Sequence, residues 1–243
     1  MAPLLKKIRI ELIQTKDMKN YFKYAIGEII LVVVGILIAL YIKGMYSDWQ
    51  ADDQIHKVGW QIVEDINNDT AMVNSILKVY EPLDSIYEKI LGNELNLEEY
   101  KQCKECASLI TFMQPFSPNQ NGYNILKQVE TALESPKDSL IHLTKMFYSQ
   151  TIPMLELLNK MIEEDITDNL RQWRDTQPWY SNWINGIQDD RHYEYMLNDQ
   201  LYKNKVANYY LLLYGNYLIG LRQYSQQAIA ISNQWLEILE DKK

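Results

Sequence analysis

Residues 24–42 read YAIGEIILVVVGILIALYI, an apolar stretch with a single charged side chain, Glu28. As an α-helix, these residues would extend about 28 Å at about 1.5 Å per residue, close to the roughly 30 Å hydrocarbon thickness of a bilayer. A buried core helix normally keeps a polar face, and residues 29–42 offer none. The stretch therefore predicts a transmembrane helix at 24–42.

Charge is distributed unevenly on the two sides of this stretch. Residues 1–23 hold six basic and two acidic side chains, while the whole chain has a net charge of −8. Because basic segments stay in the cytoplasm, the sequence predicts a cytoplasmic N-terminus, a basic amphipathic segment at 1–23 and a periplasmic domain at 43–243. A disordered basic tail is the alternative for 1–23. The acidic remainder lacks the clustered cations that nucleic acids require, so no nucleic-acid partner is expected.

Glu28 shares a helical face with two small residues. Successive residues turn by about 100°, so positions spaced by three or four fall on one stripe of the helix. Small residues let helices approach closely in lipid, and a polar side chain on that face is best satisfied by a partner helix. The stripe therefore predicts a helix–helix interface, with a lone Glu28 that reaches the headgroups as the alternative. The predicted interface residues are Glu28, Val32, Gly35, Ala39 and Ile42.

The apolar stretch and the residues that follow it carry a family resemblance. KYAIGEIILVVVGILIALYI, followed by DWQADDQIHKVGWQIVEDINND, resembles a family of single-span inner-membrane proteins of Bacteroidota that has no assigned function. The family pattern is Y-A-I-G-E-I-x-L-V-x-x-G-I-L-I-A-L, and the match is strongest over residues 20–70. The resemblance implies a Gram-negative inner membrane and a periplasmic domain. It implies no catalytic residues.

The exported part shows helical periodicity and no alternating strand pattern. The fold class predicted is all-α: a single N-terminal transmembrane helix followed by a periplasmic bundle of long antiparallel helices. A second uncharged run, 206–221, is too short for a span and is predicted to be a buried helix. After the span, helices are predicted up to Pro82, from 83 to a stop at Gly92, over 97–112, over 123–133, from about 135 to about Trp173, and from a cap at Asp190 to Glu240.

The two cysteines, Cys103 and Cys106, have the C-x-x-C spacing. In an oxidising compartment a thiol pair tends to form a disulfide, and the same spacing occurs in redox and metal sites. The pair also fits the apolar face of the helix predicted over 97–112. Packed core thiols, a local disulfide, and a redox or metal site all remain open.

Motifs for catalysis, metals or cofactors are absent from the sequence. His56, His142 and His192 show no ligand spacing, and the carboxylates of 162–168 fit a solvated helix face. No catalytic, metal-binding or cofactor-binding residue is therefore predicted, and we expect a protein that is not an enzyme.

Aromatic residues are abundant, with 18 Tyr and 6 Trp. They either fill the core of a helical domain or form a recognition surface where polar-tipped rings gather in the connector 174–189. The predicted recognition residues are Trp173, Trp179, Tyr180 and Trp183.

The sequence thus favours a membrane-anchored periplasmic scaffold or accessory subunit. Its expected partners are the lipid bilayer and either further copies of the chain or other envelope proteins. One alternative is a ligand-sensing bundle that signals through a partner. Another is a subunit of an ion-driven envelope complex that uses Glu28.

Overall fold

The computed structural model describes residues 18–129 and 135–240, and every regular element within these ranges is helical. Most of the amphipathic segment predicted for 1–23 lies outside the described residues. The α-helices are α1 (Met18–Tyr80), α2 (Asp84–Leu91), α3 (Leu97–Gln102), α4 (Asn121–Leu126), α5 (Pro136–Thr176), α6 (Tyr180–Ile184), α7 (Asp190–Asn198), α8 (Gln200–Leu212) and α9 (Leu218–Glu240). Two 3-10 turns, Glu81–Leu83 and Glu105–Ser108, and a π-helix, Leu213–Tyr217, complete the regular structure of these ranges.

The chain divides into two packing units, Met1–Ile55 and His56–Lys243. In the first unit the apolar side chains of α1 are exposed; Leu31, for example, is 73% accessible. Among the described residues, α1 is the one helix long and apolar enough to cross a membrane, judged by length and composition alone. Its most apolar window has a mean hydropathy of 2.7, and none of that window is buried.

In the second unit, α1 buries one stripe of side chains. Val58, Ile62, Ile66, Val73 and Tyr80 recur at helical spacing and are all buried. Burying an aliphatic side chain of this size contributes about 1.5–3 kcal/mol. This stripe, together with the apolar faces of the later helices, forms the core of the second unit.

The later helices pack around this stripe. Helix α9 lies along α5, α8 packs against α2 and α5, and α3 packs against α7. Trp235 of α9 donates its indole N–H to Thr144 Oγ1 at 3.0 Å. Gly59 of α1 faces the same ring, and a Cβ there would stand 2.7 Å from Trp235 Cε3. Small residues on α1 thus permit a close approach of the two helices.

The helix predicted over 97–112 is wrong beyond Gln102. Cys103 takes an extended backbone (φ −80°, ψ 97°), and only a 3-10 turn follows. At the next helix the predicted range 123–133 also differs, because α4 begins at Asn121 and ends at Leu126. Part of that predicted range, 130–133, lies outside the described residues.

The single helix predicted from Asp190 to Glu240 is also wrong. Asp199 has an extended backbone (φ −85°, ψ 120°), and its carboxylate accepts N–H groups of the next turn, so it ends α7 and caps α8. A π-helix then separates α8 from α9. The N-cap of α7 is Asp189 rather than Asp190. The uncharged run 206–221 lies within these helices with Tyr209 and other side chains buried, as predicted.

Candidate functional site

Residues 107–122, which we call the internal segment, have no regular structure between the 3-10 turn that ends at Ser108 and the start of α4 at Asn121. Leu109, Ile110 and Phe116 of this segment are nevertheless buried. Backbone groups inside a protein must find hydrogen-bond partners, and an irregular segment cannot supply its own. Here the neighbouring helices supply them with side chains.

Tyrosine, asparagine and tryptophan side chains donate to carbonyls of the internal segment. Tyr87 of α2 donates to Leu109 at 2.7 Å, and Tyr217 donates to Gln114 at 2.8 Å. Burial raises the pKa of both tyrosines, so the hydroxyls keep their protons and remain donors. The further pairs are Tyr209 with Phe112, Asn159 with Phe116 at 2.8 Å, and Trp183 with Ala107 at 2.8 Å.

Two buried carboxylates of α1 hold the C-terminal end of the internal segment. Asp65 accepts the Gly122 N–H at 2.8 Å. Asp69 accepts the backbone N–H of Asn119 at 3.0 Å, its side-chain amide at 2.6 Å, and the Tyr224 hydroxyl. Burial raises the pKa of Asp69 by more than these donors lower it. The carboxylates therefore act as fixed acceptors that hold an irregular backbone against a helix.

Gly122 is required for this contact. A Cβ at this position would stand 2.8 Å from Ile62 Cδ1 and 2.9 Å from the Ile62 backbone nitrogen. Because a helix backbone cannot yield by that amount, any side chain would push the internal segment away from α1. The glycine lets its own N–H reach Asp65.

A disulfide between Cys103 and Cys106 precedes the internal segment. Cys103 is partly exposed, whereas Cys106 is 2% exposed. The backbone N–H of Cys106 donates to Cys103 Sγ at 3.2 Å. Of the three alternatives that the sequence left open, the structure contains the disulfide.

Beside the disulfide lies a cavity of about 240 Å³, here called the disulfide cavity. It brings together the accessible sulfur, two cations, an indole and an imidazole, and its outer wall is the loop 186–189. The side chains that matter chemically are Lys101, Cys103, Lys104, Trp183 and His192.

Charges around the disulfide cavity are arranged in pairs. Lys101 lies 3.0 Å from a carboxylate oxygen of Asp190, and the hydrogen bond to that carboxylate raises the pKa of Lys101. Asp189 caps α7 and accepts the Arg191 guanidinium, which lowers the pKa of Asp189. Lys104 is exposed at the cavity. The two carboxylates are thus engaged by neighbours, and Lys104 adds positive charge near the sulfur.

His192 is a buried histidine surrounded by aromatic rings. Its ring is 4% exposed and lies 4.2 Å from the ring of Trp179, centre to centre. Burial lowers the pKa of His192 to about 4, against a smaller opposing effect of Asp189. Nε2 is buried and has no hydrogen-bond partner among the described residues. His192 is therefore a neutral imidazole whose Nε2 is buried without a partner, while other atoms of the residue line the cavity.

Because the pKa of His192 is lower in the folded than in the unfolded state, acid should weaken the fold. Between an unfolded value of about 6.5 and the folded value, the unfolded chain binds more protons, so stability falls as pH falls through this window. We expect the free energy of unfolding to drop by about 2 kcal/mol between about pH 7 and about pH 4.5, relative to the His192→Phe variant, which cannot titrate. Urea unfolding of both proteins at the two pH values measures this difference. Parallel pH curves for the two proteins would contradict it.

The four predicted recognition residues do not form one free surface. Trp173 and Trp179 are each 1% exposed, and they pack edge to face with ring centres 5.2 Å apart. Tyr180 and Trp183 are partly exposed. The first two are therefore core residues, and Trp183 is the member that reaches the disulfide cavity.

The predicted interface stripe lies entirely on α1. The side chains or backbone of Glu28, Val32, Gly35, Ala39 and Ile42 are all exposed in the first unit. Their pairing with another helix stays a prediction. Within residues 18–129 and 135–240 no group of three or more His, Cys, Asp or Glu side chains is placed to hold a metal ion.

Over residues 18–129 and 135–240, these features define an all-helical protein in which one helix is long and apolar enough to span a membrane. Comparison of the chain with protein-family models, with curated proteins and with solved structures finds no match. The function is therefore argued from the chain itself.

Proposed function

We propose that this chain is a single-span inner-membrane protein that acts, without catalysis, as a scaffold or accessory subunit through protein–protein contacts. Residues 1–23 lie in the cytoplasm, 24–42 in the bilayer and 43–243 in the periplasm. The observation that carries the proposal is the apolar window of α1, none of which is buried by the protein. A continuous apolar surface of this size requires lipid or a partner to cover it.

Two independent features support export of residues 43–243. The basic side chains are concentrated before the span, which favours a cytoplasmic N-terminus. The pair Cys103–Cys106 is a disulfide, and such bonds persist in oxidising compartments such as the periplasm. Charge and redox chemistry thus agree on the same orientation.

The span itself supplies the proposed contact. Gly35 and Ala39 leave room for the backbone of a second helix, and Glu28 on the same stripe gains a hydrogen-bonding partner there. The partner that fits this stripe with the fewest assumptions is a second copy of the same helix.

Cysteine cross-linking in native membranes tests this contact. We expect an Ala39→Cys chain to form a disulfide-linked dimer under mild oxidation, because residue 39 lies on the interface stripe. A Leu37→Cys chain is the matched control, since residue 37 is on the opposite face of the helix. The parent chain, whose own cysteines are paired with each other, provides the background.

A dimer from Ala39→Cys but not from Leu37→Cys supports a specific interface. Equal cross-linking of both variants would indicate random collision, and no dimer from either would contradict self-association through this stripe. A further Glu28→Gln change keeps the shape of the side chain, so the dimer should persist if hydrogen bonding rather than charge stabilises it.

One observation favours a second candidate, the ligand-sensing domain. The disulfide cavity, of about 240 Å³, is lined by cationic and aromatic side chains and by His192. If sensing is the function, periplasmic small-molecule extract should raise the melting temperature of the full chain but not that of His192→Phe. If the melting temperature of neither protein changes, the scaffold role remains the proposed function.

A further inference from the structure

We infer that Cys103–Cys106 is a thiol–disulfide exchange pair and that the disulfide cavity receives a thiol-bearing segment of another exported protein. The inference goes beyond the proposed function, because it gives one of the contacts a redox reaction in place of a purely non-catalytic role. It depends on the proposed function in one respect: export to the periplasm would keep the two cysteines oxidised.

The two sulfurs differ in accessibility. Cys103 is partly exposed and lines the cavity, while Cys106 is 2% exposed and points into the core of the second unit. An incoming thiolate can therefore reach Cys103 Sγ, and the protected Cys106 is placed to leave and later to resolve the intermediate. A disulfide that only staples the chain needs no such difference between its two sulfurs.

The surroundings favour the thiolate of Cys103 after reduction. The Cys106 N–H already donates to Cys103 Sγ at 3.2 Å, and a thiolate would accept this bond more strongly than a disulfide sulfur does. Lys101 and Lys104 line the same cavity together with Asp189. Lys101 is paired with Asp190 and Asp189 with Arg191, so Lys104 is the cation that lowers the pKa of the thiol. A thiol of lowered pKa is also the better leaving group in exchange.

The exchange can be written with both thiols of the partner. A thiolate of the partner attacks Cys103 Sγ, which forms a mixed disulfide and breaks the Cys103–Cys106 bond. Cys106 leaves as a thiolate and takes a proton from water. The second partner thiolate attacks the partner's own sulfur in the mixed disulfide, and Cys103 leaves as a thiolate. Overall the partner dithiol loses two electrons to the cysteine pair and two protons to solvent, of which Cys106 takes up one while Cys103 remains a thiolate; the reverse sequence reduces a partner disulfide.

Besides the sulfur of Cys103, the cavity has side chains that a polypeptide could contact. Trp183 and Ile187 supply apolar walls, and Ile187 is 56% exposed at the mouth. His192 also lines the cavity, but its unpartnered Nε2 is buried, so the imidazole contributes ring surface rather than a hydrogen bond. A peptide with a cysteine beside apolar residues matches this combination better than a small free thiol does.

The alternative is a disulfide that has only a structural role, here called a staple. In the chain-entropy account, closing a loop of four residues stabilises a fold less than closing a long loop does. The staple and the exchange pair differ in reactivity, which can be measured directly on the full-length protein in detergent.

The experiment compares the two single variants with oxidised glutathione as the probe. We expect Cys106→Ser, which leaves the accessible thiol, to form the glutathione adduct at least about 10-fold faster than Cys103→Ser, which leaves the buried one. In Cys106→Ser, adding Lys104→Gln should raise the pH at which reactivity is half-maximal, a change that a mere staple would not produce. Circular dichroism of each variant verifies folding.

The parent chain provides a reading that does not depend on variants. Dithiothreitol should reduce its disulfide at a rate that stays constant in urea below the unfolding transition. A disulfide that resists reduction until the chain unfolds, or equal rates for the two single variants, would overturn the inference. Either result would leave the membrane topology of the proposed function untouched, because topology is measured separately.

Discussion

Replacing Asp69 by alanine is expected to lower the free energy of unfolding by about 3 kcal/mol, because it removes a buried acceptor of three hydrogen bonds and leaves the buried Tyr224 hydroxyl without its partner. The carboxylate accepts both amides of Asn119 and the hydroxyl of Tyr224. No other acceptor is available to all three donors at this position of α1. Without them the end of the internal segment should detach from the helix.

Urea unfolding of the full-length protein in detergent, followed by circular dichroism, measures this loss. Asn68→Ala is the matched control, since residue 68 is exposed on the same turn of α1 and should change stability by less than about 0.5 kcal/mol. An Asp69→Ala protein as stable as the control would contradict the proposed role of the carboxylate. Amide hydrogen exchange should also rise at Asn119 in the variant.

Replacing Trp173 by alanine is expected to be at least as damaging, with a loss of about 3–5 kcal/mol. Its ring packs 5.2 Å from Trp179 and 5.3 Å from Trp183, centre to centre, and its indole N–H donates to the Tyr195 hydroxyl at 3.2 Å. Removal would leave a large void under the disulfide cavity. The same void would disturb His192, whose ring centre lies 5.9 Å away.

Tyr180→Ala provides the comparison, because Tyr180 is partly exposed and belongs to the same aromatic group. A core role for Trp173 predicts a large loss for Trp173→Ala and a small one for Tyr180→Ala in thermal unfolding. A recognition role predicts the opposite pattern: both variants fold normally and lose only a binding activity. Equal melting temperatures for the two variants would contradict the core assignment.

Local sequence signals account for much of the fold. The apolar run at 24–42 predicts an apolar helix, and the periodic apolar positions from 58 to 80 predict the buried stripe of α1. The helix that was predicted to stop at Gly92 ends at Leu91, with Gly92 as its C-cap. These features depend on neighbours in sequence, so patterns of spacing and capping are sufficient to find them.

The breaks at Cys103 and Asp199 were missed for a different reason. Around both residues the apolar side chains keep their helical spacing, so the sequence pattern predicts an uninterrupted helix. The helix ends at each residue because its backbone is extended. Asp199 is compatible with the start of a new helix, because aspartate is a preferred N-cap. At Cys103 the break is tied to a disulfide, which the sequence left as one of three alternatives.

The candidate site was the least predictable part. His192 showed no ligand spacing, and its significance comes from burial between rings that are distant in sequence. The sequence shows that tyrosine is abundant, but it does not show what the hydroxyl groups bind. Hydroxyls such as that of Tyr87 donate hydrogen bonds to carbonyls of the internal segment. Such long-range hydrogen bonds leave no periodic trace in a sequence.

The central claim is that the chain crosses the membrane once, at 24–42, with residues 43–243 outside the cytoplasm. Fusion of alkaline phosphatase after Lys243 tests it most directly, because that enzyme is active only after export. The account predicts an active phosphatase in the full-length fusion and an inactive one when the span is deleted. An inactive phosphatase in the full-length fusion, made at the same level and intact, would contradict it.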